Sequence, residues 1–133
     1  MGSHNAAVGY LKGEGTEKNI KKALDLFKFA AEHGFAQSQY SLGFLYANGI
    51  GTKQDYVKAL ELSELAAEQG HTEGSYNAAR LILSGHVPKT KDNFEKALNL
   101  LTLAADKGFK KAIRELENII NNKKNTLNQY MNK

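Results

Sequence analysis

The sequence predicts an all-α fold, about three helical hairpins stacked into a solenoid and closed by a C-terminal capping helix. Three observations lead there. Lys22-Ala23-Leu24-Asp25-Leu26 returns 36 residues later as Lys58-Ala59-Leu60-Glu61-Leu62, and 38 residues after that as Lys96-Ala97-Leu98-Asn99-Leu100. Eight residues after each Lys comes a second landmark: Ala30-Ala31-Glu32-His33-Gly34, Ala66-Ala67-Glu68-Gln69-Gly70 and Ala104-Ala105-Asp106-Lys107-Gly108. Between the landmarks the apolar residues fall at helical spacing. A period of this length marks one supersecondary unit repeated along the chain, each copy burying its apolar face on the next.

Each unit reads as two helices. The second begins near Asn19, Asp55 or Asn93, three residues before the recurrent Lys. Asn and Asp are strong N-caps because the side-chain oxygen accepts from an orphan amide one turn on. That helix closes at Gly34, Gly70 or Gly108, where glycine can take the left-handed conformation. Its expected buried stripe is Ala23-Leu26-Ala30, Ala59-Leu62-Ala66 and Ala97-Leu100-Ala104.

The first helix is clearest over Ala36 to Ala47, with Ser38, Leu42, Gly43 and Tyr46 on one face. Gly74, Ala78, Ala79 and Ile82 hold the same places in the third unit, and Ala6, Ala7 and Tyr10 remain in the first. After Gly108 a further first-type helix places Ala112, Leu116 and Ile120 in register. There Glu117 stands where the second unit has Gly43, as suits an exposed terminal surface. Gly13-x-Gly15 and Gly49-x-Gly51 read as turns between paired helices. They follow helices, not strands, and lack the rest of a phosphate-binding motif.

Length and composition agree. The chain has 133 residues, which suits one domain, and is 41% hydrophobic and 24% charged, as a globular protein is. It has no Cys, which excludes disulfides and thiolate chemistry. No apolar run approaches the roughly 18 residues needed to span a bilayer. Met1-Gly2-Ser3-His4 looks like a tag remnant. The units run about residues 5–34, 35–70 and 71–108, the capping helix about 109–120, and a polar helical extension or tail 121–133.

The second unit, Gly34 to Gly51 and on to Gly70, closely resembles the Sel-one-like repeat, a helical-hairpin repeat related to the tetratricopeptide repeat. Leu42, Gly43, Tyr46, Gly49, Gly51, Asp55, Lys58, Ala59, Ala66, Ala67 and Gly70 carry the match. Ser38 and Leu62 depart from it mildly, and the third unit departs more, with Ala79, Ile82 and Val87 at motif places. The resemblance implies a right-handed α-α superhelix with first-type helices on the concave side, acting as an adaptor that holds other proteins.

The chemistry-bearing residues are sparse. His4, His33, His71 and His86 form no metal-ligand spacing. Glu61, Glu64 and Glu68 read as a solvated helix face, and no nucleophile-base arrangement is recognisable. We therefore expect no catalytic residues, cofactor or metal.

Partner binding is expected on the first-type helices, at Tyr40, Phe44, Tyr76, Asn77, Arg80 and Arg114. The only two arginines of the chain fall there. Arginine makes paired bonds to carboxylates that lysine cannot, so an acidic side chain or C-terminus of a partner protein or peptide is the expected ligand. The alternative is that Tyr40 and Tyr76 pack between repeats and Arg114 pairs with a nearby glutamate.

Residues 55–73 carry net charge −4 and residues 107–133 carry +5, within a chain of +4. The basic tail has one aromatic, Tyr130, and so lacks a stacking platform for nucleic acid. The expected function is a non-catalytic adaptor or scaffold. The other readings are a small inhibitor or immunity-type protein and, less favoured, a hydrolase or nucleic-acid binder. A homodimer by end stacking is a further expectation; the compartment stays open.

Overall fold

The computed structural model describes Ala7, residues 17–122 and Met131; for residues 17 and 18 it describes the backbone alone. Among the described residues there are six helical elements and no strand. They are α1 (Glu17–Glu32), α2 (Ala36–Asn48), α3 (Tyr56–Glu68), α4 (Thr72–Leu83), α5 (Lys91–Asp106) and α6 (Lys110–Asn121). The chain divides into two compact units, Met1–His71 and Thr72–Lys133. In the first, α2 packs on α1 and on α3; in the second, α5 packs on α4 and on α6. Gly13, Gly15, His4 and the tail residues Leu127 and Tyr130 lie outside the described residues.

The Ala-Ala-x-x-Gly landmark is a helix stop built the same way three times. Gly34, Gly70 and Gly108 have φ of 85°, 82° and 82°, in the left-handed region. The amide of the next residue (Phe35, His71, Phe109) bonds the carbonyl of the first alanine, at 3.2, 3.0 and 3.2 Å. The glycine amide bonds the carbonyl of the second, at 3.0, 2.9 and 2.8 Å. This double bond satisfies two carbonyls that the helix end would otherwise leave orphaned. Phe35 and Phe109 then stand at the N-caps of α2 and α6, so each reversal of the chain is short.

Helix starts depart from the expectation at two of three places. Asp55 does cap α3, accepting from the Lys58 amide at 3.1 Å. In the third repeat the cap is Thr90, which accepts from the Asn93 amide at 3.1 Å. Asn93 lies inside the first turn of α5, and its side-chain amide donates to the Pro88 carbonyl at 2.8 Å. Thr52 holds the same place before Asp55 without capping α3, so α5 starts one turn earlier and has 16 residues where α3 has 13. Asn19 likewise lies within α1, which starts at Glu17.

The buried stripe of the second-type helices shifts by one residue in two of the three repeats, while Leu100 is buried as expected, beside Leu101. Leu26 and Leu62 are half-buried. The core positions are Phe27, Ser63 and Leu101, at 1%, 0% and 0% exposure, between alanines that are all fully buried. In the second repeat the small Ser63 faces Gly43. A Cβ on Gly43 would stand 3.1 Å from the Ala59 carbonyl oxygen and 3.2 Å from Ser63 Oγ, so α2 and α3 meet almost backbone to backbone. The third repeat fills the corresponding places with Ala79 and Leu101, both buried.

The face expected of α2 is buried as a set: Ser38, Leu42, Gly43 and Tyr46. So are Gly74, Ala78, Ala79 and Ile82 of α4. On α6 only Ala112 is buried; Leu116 is half-buried and Ile120 is 64% exposed. Their counterparts Leu42 and Tyr46 are buried between α1 and α3, and among the described residues no second helix follows α6.

Candidate binding surfaces

In the first unit, α2 carries Tyr40 and Phe44. Tyr40 is half-buried, its ring tilted against His71 at 5.0 Å between centroids. His71 in turn bonds Gln37: its Nε2–H donates to Oε1 at 2.8 Å. Beneath them Gln39, only 5% exposed, donates to the Ala31 carbonyl at 3.3 Å and accepts from Gln69 Nε2 at 2.9 Å. This buried amide is therefore satisfied on both sides, which its burial requires. Phe44 is 47% exposed, one turn before Asn48, whose amide bonds the Phe44 carbonyl at 2.9 Å.

In the second unit, Tyr76 repeats the role of Tyr40. It is half-buried and its ring lies 5.2 Å from that of Phe109, the residue that follows the helix-stop glycine just as His71 does. Both tyrosines thus clip a first-type helix to the turn behind the next helix, the packing alternative named above. Asn77 is half-buried and partnered.

Both arginines are expected from the sequence to meet a partner, the alternative being that Arg114 pairs with a glutamate. Arg80, not Arg114, makes the ion pair, to Glu115 Oε1 at 3.0 Å. Residue 115 sits beside the arginine expected to pair, and α6 presents it to α4's Arg80 instead. Arg114 is exposed and makes no ion pair with a described residue. Of the six candidates, then, Phe44 and Arg114 are the two whose exposed side chains nothing described holds in place.

His33 sits in the last turn of α1, where its Nδ1–H donates to the Phe29 carbonyl at 2.7 Å. The Gly49-x-Gly51 loop is a turn, with φ of 64° and 75°. Among the described residues no cluster of three or more His, Asp or Glu is placed to hold a metal ion. No helix described is long and apolar enough to cross a membrane.

The sequence reading missed a second surface. In the first unit a groove of about 460 Å³ opens between α1 and α3. Ala31, Leu42, Tyr46, Leu62 and Leu65 form its floor; Lys28 and Glu32 stand on one wall, Lys58 and Glu61 on the other. Leu65 is 45% exposed, and its counterparts Phe29 and Leu103 are 55% and 51% exposed. The signal was present: a large apolar residue precedes the Ala-Ala pair in all three repeats, off the buried stripe.

Helical hairpins closed by a repeated helix stop define a helical-repeat protein. The chain belongs to the Sel1 repeat family, whose repeat matches residues 4–35, 36–71 and 72–109. A Sel1 repeat protein from Oxalobacter formigenes is 32% identical in sequence and superposes with a TM-score of 0.77, over 88% of this chain and 47% of that one. A protective antigen of uropathogenic Escherichia coli with an SLR fold is 24% identical, with a TM-score of 0.79, over 88% of this chain and 25% of that one. The chain therefore spans half or less of the length of these two proteins. No curated protein matches it. Sel1 repeat proteins are in general protein–protein interaction modules and typically non-catalytic.

Proposed function

We propose that this chain is a non-catalytic adaptor that holds a partner protein through its first-type helices. The observation that carries the reading is the exposure of Phe44 and Arg114 without a described side-chain partner, at places the repeat assigns to one helix type. An apolar ring on a rigid helix contributes contact area at little entropic cost, and a free guanidinium takes a carboxylate in paired hydrogen bonds. The partner chemistry is an apolar residue for Phe44 and an acidic side chain or C-terminus for Arg114. Within the first unit Tyr40 fixes the helix that carries Phe44; within the second, Tyr76 and Asn77 belong to α4, whose Arg80 pairs with Glu115 beside Arg114.

The test is capture of partners from native lysate by the unaltered chain and by Phe44→Ser and Arg114→Ala variants, with thermal melting as the folding control. Both side chains are exposed, so the melting temperature should stay within a few degrees, as surface substitutions usually allow. A partner retained equally by all three proteins would remove this surface from the function.

A further inference from the structure

Among the described residues two apolar surfaces are left uncovered, and each is flanked by charges of both signs. The first is the α1–α3 groove. Its four rim charges, Lys28, Glu32, Lys58 and Glu61, make no ion pair with any described residue, although Lys58 Nζ lies 5.2 Å from the centroid of the Tyr46 ring. The second is the open side of α6, where Ile113 is 37% and Ile120 64% exposed, with Leu116 between them. These three sit at i, i+3 and i+7, one stripe along the helix. Lys110, Arg114 and Glu117 flank the same side of that stripe, and all three are exposed.

The α6 surface is specific about its cover. Inside a repeat, the helix that covers these positions approaches so closely that even a Cβ at Gly43 would stand 3.1 Å from a backbone oxygen. Glu117 occupies that place on α6. A helix docked as α3 docks on α2 would bury its carboxylate beside a carbonyl, which is strongly unfavourable without a cation. The cover must therefore be wider and must bring lysines. The α1–α3 groove does both: two helices stand apart over an apolar floor, with a lysine on each wall for Glu117 and a glutamate on each wall for Lys110.

We propose that α6 of one copy docks in the α1–α3 groove of a second copy. The two surfaces differ, so the contact is heterologous and each copy keeps one donor and one acceptor face. Assembly is therefore head to tail and grows with concentration. The variants that test this association leave Phe44 and Arg114 unaltered, so its outcome is read separately from partner capture.

The experiment is sedimentation velocity on the full chain, from about 10 µM to about 1 mM, the range in which an interface at the small end of the size scale associates. Two variants are compared, Leu65→Lys in the groove and Ile120→Lys on α6, with circular dichroism to verify that each is folded. Both side chains are substantially exposed, so folding should survive. The unaltered chain is expected to assemble, and each variant alone to associate roughly tenfold or more weakly, as when one hot-spot contact is lost. An equimolar mixture is expected to form a 1:1 dimer that grows no further, because Ile120→Lys retains a groove and Leu65→Lys retains an α6 face. A monomeric unaltered chain throughout the range overturns the proposal. So does a Leu65→Lys variant that dimerises alone, which would mean α6 pairing with α6, or a mixture that stays monomeric.

Discussion

Gly51 allows two penalties to be separated. Its φ is 75°, and a Cβ there would stand 2.8 Å from Ile20 Cγ2 on α1, with Leu24 Cδ2 at an ordinary 3.8 Å. Gly108 has a similar φ, 82°, but nothing within 4 Å of the Cβ position. Gly108→Ala therefore carries only the left-handed backbone cost, about 1–2 kcal/mol. Gly51→Ala carries that plus overpacking against Ile20, about 1–2 kcal/mol because a half-buried side chain can partly yield. Urea unfolding followed by circular dichroism should place Gly51→Ala about 2–4 kcal/mol below the unaltered chain, and Gly108→Ala about half as far. Ile20→Leu removes the Cγ2 branch. The double variant Ile20→Leu/Gly51→Ala should thus recover roughly 1 kcal/mol relative to the sum of the single changes, a coupling expected only of groups in contact. If Gly51→Ala costs no more than Gly108→Ala, or the double variant is additive, then Gly51 does not set the spacing between the loop and α1.

Two further outcomes follow from the helix ends and the ion pair. Thr90→Ala and Asp55→Ala should each lower stability by about 1 kcal/mol in the same unfolding assay, as loss of an N-cap does, while Asn93→Ala should stay within about 0.5 kcal/mol; a larger loss at Asn93 than at Thr90 would return the cap to Asn93. Arg80→Ala should cost less than about 1 kcal/mol, and the difference should shrink in high salt, because the Arg80–Glu115 pair is exposed to solvent; a larger, salt-insensitive loss would show that Arg80 acts by packing.

The repeat was readable because each landmark has one dominant cause. Ala-Ala-x-x-Gly is a backbone solution: only glycine takes the left-handed turn cheaply, and small residues let a neighbouring helix close in. Gly43 is legible for the same reason. The N-caps were less legible, because Asn19 and Asn93 are as able to cap as Asp55 and a Thr stands three residues earlier in every unit, at Thr16, Thr52 and Thr90. The shifted stripe was hidden by Ser63, a polar residue at a core place that is small enough for α2 to approach at Gly43. For the binding residues, the sequence placed Arg80 and Arg114 on first-type helices but could not say which would find a glutamate.

Local backbone chemistry and spacing within a single turn are written in the chain order, so helix stops, the hairpin period and the family were determined by the sequence alone. Which side chain is covered depends on what a different helix brings against it. Phe44 and Arg114 left exposed, Tyr40 and Tyr76 stacked on the turns, Glu115 drawn to Arg80 and a groove opened between α1 and α3 were decided by the tertiary structure, because burial and pairing belong to contacts between elements.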